Sequence, residues 1–227
     1  MVYFEKSQPA PASLAIEKAK ASGSYREQDV MKQLRADFHD KCYICESKGL
    51  TAINVEHFLP HRGNKELMFD WSNLFYACSH CNNVKQSNKI FNDILNCTNK
   101  DDKVDGQIRY RMDPFPKSIV QIEAVIKDTK VCNTVEFLKA VYNGSNTGIK
   151  EIESDNLREN LLNEVFQFQR LLIEYFSRDT TDEERTELIP KIKKALSNHS
   201  SFTAFKRWII RDNPDFVTTF SPYLDFL

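Results

Sequence analysis

Cys42-Tyr43-Ile44-Cys45 and Cys78-Ser79-His80-Cys81 are two Cys-x-x-Cys pairs, and between them runs Ala52-Ile53-Asn54-Val55-Glu56-His57-Phe58-Leu59-Pro60. Asp70-Trp71-Ser72-Asn73-Leu74 precedes the second pair, and Asn82-Asn83-Val84-Lys85 follows it. Two thiolate pairs at this spacing supply four soft ligands for a tetrahedral structural Zn²⁺. Two intervening residues make a tight knuckle, so both sulfurs of a pair reach one ion. The competing reading is buried thiol pairs or redox dithiols. It needs four cysteines, Cys42, Cys45, Cys78 and Cys81, to fall into knuckle spacing by accident. A zinc ion here ties together two distant parts of a segment with little core of its own.

The alternation Ala52-Ile53-Asn54-Val55 reads as a strand that delivers Glu56 and His57 at its end. A carboxylate beside a histidine suits a hard cation held next to a base. Glu56 offers an oxygen ligand, which Mg²⁺ prefers. His57, with an ordinary pKa near ~6.5, is largely neutral at pH 7 and can take a proton from water. Alone, such a pair reads as surface polarity; between two knuckles it reads as a site. Pro60 ends the strand and separates His57 from His61, so no helical face joins these two histidines. His80 lies inside the second knuckle, where four thiolates already suffice.

The order Cys-x-x-Cys, acid-His-x-x-Pro, Asn-Leu, Cys-x-x-Cys-Asn-x-x-Lys resembles the HNH endonucleases, the ββα-metal nucleases with an added four-cysteine zinc site. The match covers about 50 residues. It places the family's first His at His57, its middle Asn at Asn73, and its last His, often Asn, at Asn82. The acid is usually Asp and is Glu56 here, one methylene longer. The resemblance implies that His57 activates a water, and that Glu56 and Asn82 hold one catalytic Mg²⁺ or Mn²⁺. It further implies that Asn73 braces the loop and orients His57, and that zinc holds the fold without joining the chemistry. Lys85, three residues after Asn82, shares its helical face and is a candidate phosphate contact; the bland alternative is a solvated lysine.

The expected fold class is α+β and mostly α-helical. Its parts are an N-terminal arm and helix (1–40), a zinc-bearing ββα unit (41–97) and a C-terminal, mainly helical region (98–227). Sixteen Phe against six Gly point to a packed helical core with few glycine turns. No apolar run approaches the ~20 residues of a membrane span, and the N-terminus has no secretory signal pattern. Cys97 and Cys132 are expected as buried free thiols, which implies a reducing, cytoplasmic setting. Net charge is −1, a weak footprint for an independent DNA binder. Lys41 to Asn92 carries six Lys or Arg against four Asp or Glu, and four zinc-bound thiolates cancel that excess. Modest intrinsic affinity favours a partner that grips the nucleic acid.

Along the chain, Met1–Pro11 reads as an extended arm whose Tyr3 and Phe4 are able to dock. Helices are expected over Ser13–Ser22 and Arg26–His39, with His39 in the last turn facing free carbonyls. A helix beginning near Asn82 carries Val84, Ile90, Phe91 and Ile94 inward. Thr98–Gly106 is a polar loop and the best boundary. A strand covers Ile108–Met112 and ends at Asp113-Pro114; Ser118–Ile126 fits either strand or helix, with strand preferred. Helices then run from Asn133-Thr134 to Tyr142, from Ser154 or Asp155 to Phe176, from Thr181 to Leu196 with a break at Pro190, and from Phe202 to Arg211, stopped by Asn213-Pro214.

The layout of arm, helix, knuckle, nuclease and helical tail is also similar to the PtuB family, the HNH subunits of Septu-type and retron-associated anti-phage defence systems. That resemblance implies a DNA nuclease controlled by a PtuA-like ATPase partner. Two other readings stand beside it. One is a stand-alone restriction-type DNase in which Lys191, Lys193, Lys194, Lys206, Arg207 and Arg211 form a basic stripe. The other is a non-catalytic zinc module, disfavoured by the joint presence of Glu56, His57, Asn73 and Asn82. Homodimer and hetero-oligomer are both open at this point.

Overall fold

The computed structural model describes residues 1–113 and 119–224. These form a mixed α+β structure, mostly helical, with two two-stranded antiparallel sheets among the described residues. Helices α1 (Ala12–Lys18) and α2 (Gln28–Asp37) lead into the first knuckle. Between them Gly23 passes so close that a Cβ there would lie 1.9 Å from the Glu17 carbonyl oxygen, which excludes any other residue. Strand β1 (Ile53–His57) is followed by the one-turn α3 (Lys65–Met68), β2 (Leu74–Cys78) and α4 (Ser79–Gln86). The β1–β2 register runs from Ile53 opposite Cys78 to His57 opposite Leu74. That pairing sets the second knuckle at one end of the hairpin and Glu56-His57 at the other. Because α4 begins at Ser79, capped by the Cys78 sulfur, and not near Asn82, its first turn carries the knuckle and its second carries Asn82 and Lys85. It ends before Ile90, which lies 43 % exposed in a separate turn while Phe91 and Ile94 are buried.

Short helix α5 (Val104–Gln107) precedes β3 (Ile108–Asp113) and β4 (Ile119–Ala124), which pair antiparallel. The expected strand ends at Pro114 and Ser118 fall outside the described residues. The segment expected as a polar boundary loop is anchored instead. Val104 is buried, and Asp105 accepts from Arg207 and Arg211 at 2.9 and 2.7 Å.

Five helices follow: α6 (Thr129–Asn143), α7 (Gly148–Phe176), α8 (Asp182–Leu196), α9 (Thr203–Arg211) and α10 (Pro214–Phe220). Helix α6 starts earlier than expected because Asp128 caps it, accepting from the backbone N–H groups of Lys130 and Val131. Thr147 caps α7, which leaves Ser154 inside the helix, bonded to the Val141 carbonyl. Thr181 and Glu184 form a capping box on α8, and that helix continues through Pro190. Leu188, Ile192 and Leu196 are buried on both sides of the proline, and this packing offsets its missing N–H. Asn213-Pro214 starts a helix as well as stopping one, since Asn213 caps α10 and Pro214 needs no donor in the first turn.

One hydrophobic core runs from Met1 to Phe205 without drawing on α8 or α10; a smaller cluster fills the end formed by α7, α8, α9 and α10. The N-terminal arm is part of that core. Met1, Val2 and Phe4 are fully buried, and Phe4 packs on Phe38 with ring centroids 5.1 Å apart. The Lys6 ammonium bonds the Trp71 and Leu74 carbonyls from above the Trp71 ring, and burial pulls it down to about 7. His39 leaves α2 with a φ of 55° and stacks on His199 at 3.6 Å instead of capping carbonyls. Cys97 is buried as expected, whereas Cys132 is exposed; both are free thiols.

Burial, with the nearby His199 and Lys41 adding to it, lowers His39 from 6.5 to about 4. Between those values the unfolded chain binds the extra proton, so stability falls as pH drops through this window. Thermal unfolding of the wild type is expected to show a midpoint that declines from pH 6.5 toward 4. His39→Asn, which tolerates the positive φ, flattens that decline. An equal slope in the variant would assign it to other groups.

Candidate active site

The four knuckle cysteines converge. All are buried, and their sulfurs lie within 4.8 Å of one another, Cys45 and Cys78 being 4.0 Å apart. A Zn–S bond of about 2.3 Å gives a tetrahedron edge of roughly 3.8 Å, so the cluster has the size and donor chemistry of a zinc site. It is braced by distant parts of the chain. Tyr142 on α6 donates to the Cys45 carbonyl at 2.8 Å. Glu46, next to Cys45, pairs with Lys41 at 3.1 Å and with the Met1 ammonium at 3.2 Å. Those two cations outweigh the cost of its burial and hold its carboxyl at about 2.

At the other end of the hairpin a cleft of about 420 Å³ opens between β1, α4 and the loops that precede α2 and follow β1. Glu56, His57, Asn82 and Lys85 all line it. The half-buried His57 ring approaches the Met68 carbonyl with Nε2 at 3.0 Å. A carbonyl only accepts, so Nε2 carries the hydrogen and Nδ1 keeps the lone pair. Burial lowers the His57 pKa, with the Met68 bond opposing and the His61, Arg26 and Lys85 charges adding to the effect. The ring is therefore a neutral base at pH 7. Asn73 is buried and braces the loop after His57: its Oδ1 accepts from the Leu59 N–H at 2.7 Å, and its amide donates to the Leu59 and Leu67 carbonyls.

Lys85 sits differently from the expected phosphate contact. It is 2 % exposed, and its ammonium donates to Glu56 Oε1 at 3.0 Å, the His57 carbonyl at 3.2 Å and the Phe58 carbonyl at 2.8 Å. Three donors meet three acceptors, which leaves none for a substrate. Burial pushes the Glu56 carboxyl upward, and the Lys85 ammonium opposes that shift. Glu56 Oε2 makes no hydrogen bond among the described residues. Asn82 Oδ1 is buried without a partner, a deficit worth about 1–3 kcal/mol for an acceptor left dry. These two oxygens are the ones that could hold a hard cation.

Sequence reasoning missed part of the lining. Tyr25 packs edge-on against His57 at 4.5 Å, and His61 lies 4.6 Å from the His57 ring. Pro60 does prevent a shared helix, but the loop turns back and restores the proximity. Arg26, Arg62 and Lys89 are exposed around the cleft, so four cations including Lys85 face one carboxylate, Glu56. His80 lies elsewhere, between Glu153 and the Val141 carbonyl, both at 2.8 Å. The six tail cations do not form a stripe. Lys206 is buried against Glu164 at 2.7 Å, Arg207 and Arg211 hold Asp105, and only Lys191, Lys193 and Lys194 are exposed.

Lys85→Met is expected to cost about 3–5 kcal/mol, because it strands the Glu56 charge and two carbonyls in the interior. Urea denaturation would read this as a lower midpoint, and a change below about 1 kcal/mol would contradict the clasp. Cys42→Ser is expected to lose bound zinc and to unfold the hairpin unit. A folded variant with one zinc per chain, by metal analysis and circular dichroism, would contradict a structural role for the cluster.

Compared with known proteins, the chain matches no protein-family model and no curated protein sequence.

Proposed function

We propose that the protein is a metal-dependent HNH-type endonuclease that hydrolyses DNA phosphodiester bonds. The observation that carries this reading is the His57 ring: its Nε2 is committed to the Met68 carbonyl, so a neutral Nδ1 base stands in a cleft rimmed by cations. In this reading Nδ1 takes the proton of the attacking water, which general-base catalysis makes worth about 10²–10⁴ in rate. Glu56 Oε2 and Asn82 Oδ1 would hold one Mg²⁺ or Mn²⁺. When bound, that ion supplies charge stabilisation at the phosphate and the leaving oxygen. The lengthened acid, Glu56 in place of Asp, is anchored at one oxygen by Lys85 and keeps the other for the metal. Zn²⁺ at Cys42, Cys45, Cys78 and Cys81 would hold the hairpin and take no part in the reaction.

The balance of charge supports a partner. Net charge is −1, and Lys206, Arg207 and Arg211 are engaged with acidic groups inside the fold. That removes half of the basic stripe on which a stand-alone DNase would depend. A PtuA-like ATPase that delivers or releases the nucleic acid, as in an anti-phage defence system, fits this better. No helix among the described residues is long and apolar enough to cross a membrane. Free thiols beside a zinc cluster suit the cytoplasm.

Wild type is expected to nick supercoiled plasmid with Mg²⁺ or Mn²⁺, alone or once the ATPase partner is added. His57→Ala should lower the rate at least about 100-fold while retaining zinc and fold. Since His57 titrates below 6.5, the acid limb of the rate profile should lie below that pH. Undiminished cutting by His57→Ala would remove it as the base.

A further inference from the structure

His61 shares the cleft with His57 and presents the opposite hydrogen-bonding function. The loop after Pro60 turns through Arg62 and Gly63, whose φ values are 46° and 85°. This turn brings the Gly63 backbone N–H to His61 Nδ1 at 3.1 Å. A backbone N–H only donates, so Nδ1 holds a lone pair while that bond is made, and the ring hydrogen sits on Nε2. His57 is arranged the other way: its Nε2 hydrogen is spent on Met68, and the lone pair at Nδ1 remains. The two rings lie 4.6 Å apart, with Tyr25 against both at 4.5 and 6.4 Å. His61 Nε2 has no partner among the described residues. It lines the cleft with Arg26, Arg62 and Lys89, and no carboxylate but Glu56 is present there.

We propose that His61 is a second substrate-contacting residue, whose Nε2–H donates to a non-bridging oxygen of the phosphodiester. This rests on the nuclease reading. In the reaction the water oxygen bonds to phosphorus and its proton passes to His57 Nδ1. The bond from phosphorus to the leaving sugar oxygen breaks, that oxygen keeps the electron pair, and solvent returns a proton to it. His61 keeps its own proton throughout and acts only as a donor to the oxygen on which charge grows. A donor of this kind works without a positive charge on the ring, so it stays in place at the pH where His57 must be neutral.

Two measurements on the full zinc-loaded chain test this. In plasmid nicking, His61→Phe is expected to lower kcat/KM about tenfold or more, the scale of one hydrogen bond to a charged group. His61→Gln, which retains an N–H donor, should stay within about threefold, and the His57-dependent acid limb should not move. Imidazole ¹⁵N NMR of wild type without added divalent metal reads the contact separately from cleavage. On titration with a short DNA duplex, the His61 Nε2 signal should shift saturably while retaining its directly bonded hydrogen. A cutting wild type whose His61 signal stays still, or full activity in His61→Phe, overturns this proposal alone. A wild type that stays silent even with the ATPase partner added, while the His61 signal shifts, overturns the nuclease reading and upholds the phosphate contact. Silence with no shift overturns both.

Discussion

The Lys85 ammonium is the interaction on which the cleft depends. It joins α4 to the end of β1 by bonding a carboxylate and two consecutive carbonyls, all away from water. An isolated two-stranded hairpin is marginal, and one of five-residue strands cannot by itself fix a histidine ring. Here β1 and β2 are held at one end by the cysteine cluster and at the other by Lys85. Between these two fastenings α4 lies against the hairpin, with Val84 buried. Moving Lys85 out of this position would free Glu56, His57 and Phe58 together.

Around this unit the rest of the chain acts as a clamp. The N-terminal arm enters the core and sets Lys6 against the turn that carries Asn73. The segment between α8 and α9 reaches the first knuckle: Lys41 donates to the Asn198 carbonyl, and Phe202 donates to the Glu46 carbonyl. Buried charges at Lys41, Glu46 and Lys85 are each neutralised by a partner within 3.2 Å. Buried pairs of this kind contribute little net stability, since desolvation offsets attraction, but losing one partner is costly. Their effect is to hold one geometry, and that geometry places His57, Glu56, Asn82 and the cationic rim in one cleft.

The cysteine knuckles and the strand before Glu56-His57 were legible because their signals are local. Two residues between cysteines, and alternation over four residues, need no knowledge of distant partners. Helices α6 and α7 were legible, though their starts were misplaced where Asp128 and Thr147 cap in place of Asn133 and Ser154. Lys85 was misread for a different reason. Its residue type and helical spacing are the same whether it faces solvent or Glu56, 29 residues away. The basic stripe failed likewise, because the acids that neutralise Lys206, Arg207 and Arg211 lie on α7 and α5.

The sequence by itself therefore determined the mostly helical α+β class, the four cysteines of the candidate zinc cluster and the local order in which Glu56, His57, Asn73 and Asn82 occur. Tertiary structure alone decided which ring nitrogen of His57 is free, that Lys85 turns inward, that His61 and Tyr25 join the cleft, and that the N-terminal arm belongs to the core. The physical reason is that local preference depends on residues within a turn or a strand. Hydrogen-bond partners, burial and pKa depend on groups brought together from across the chain, and packing chooses them.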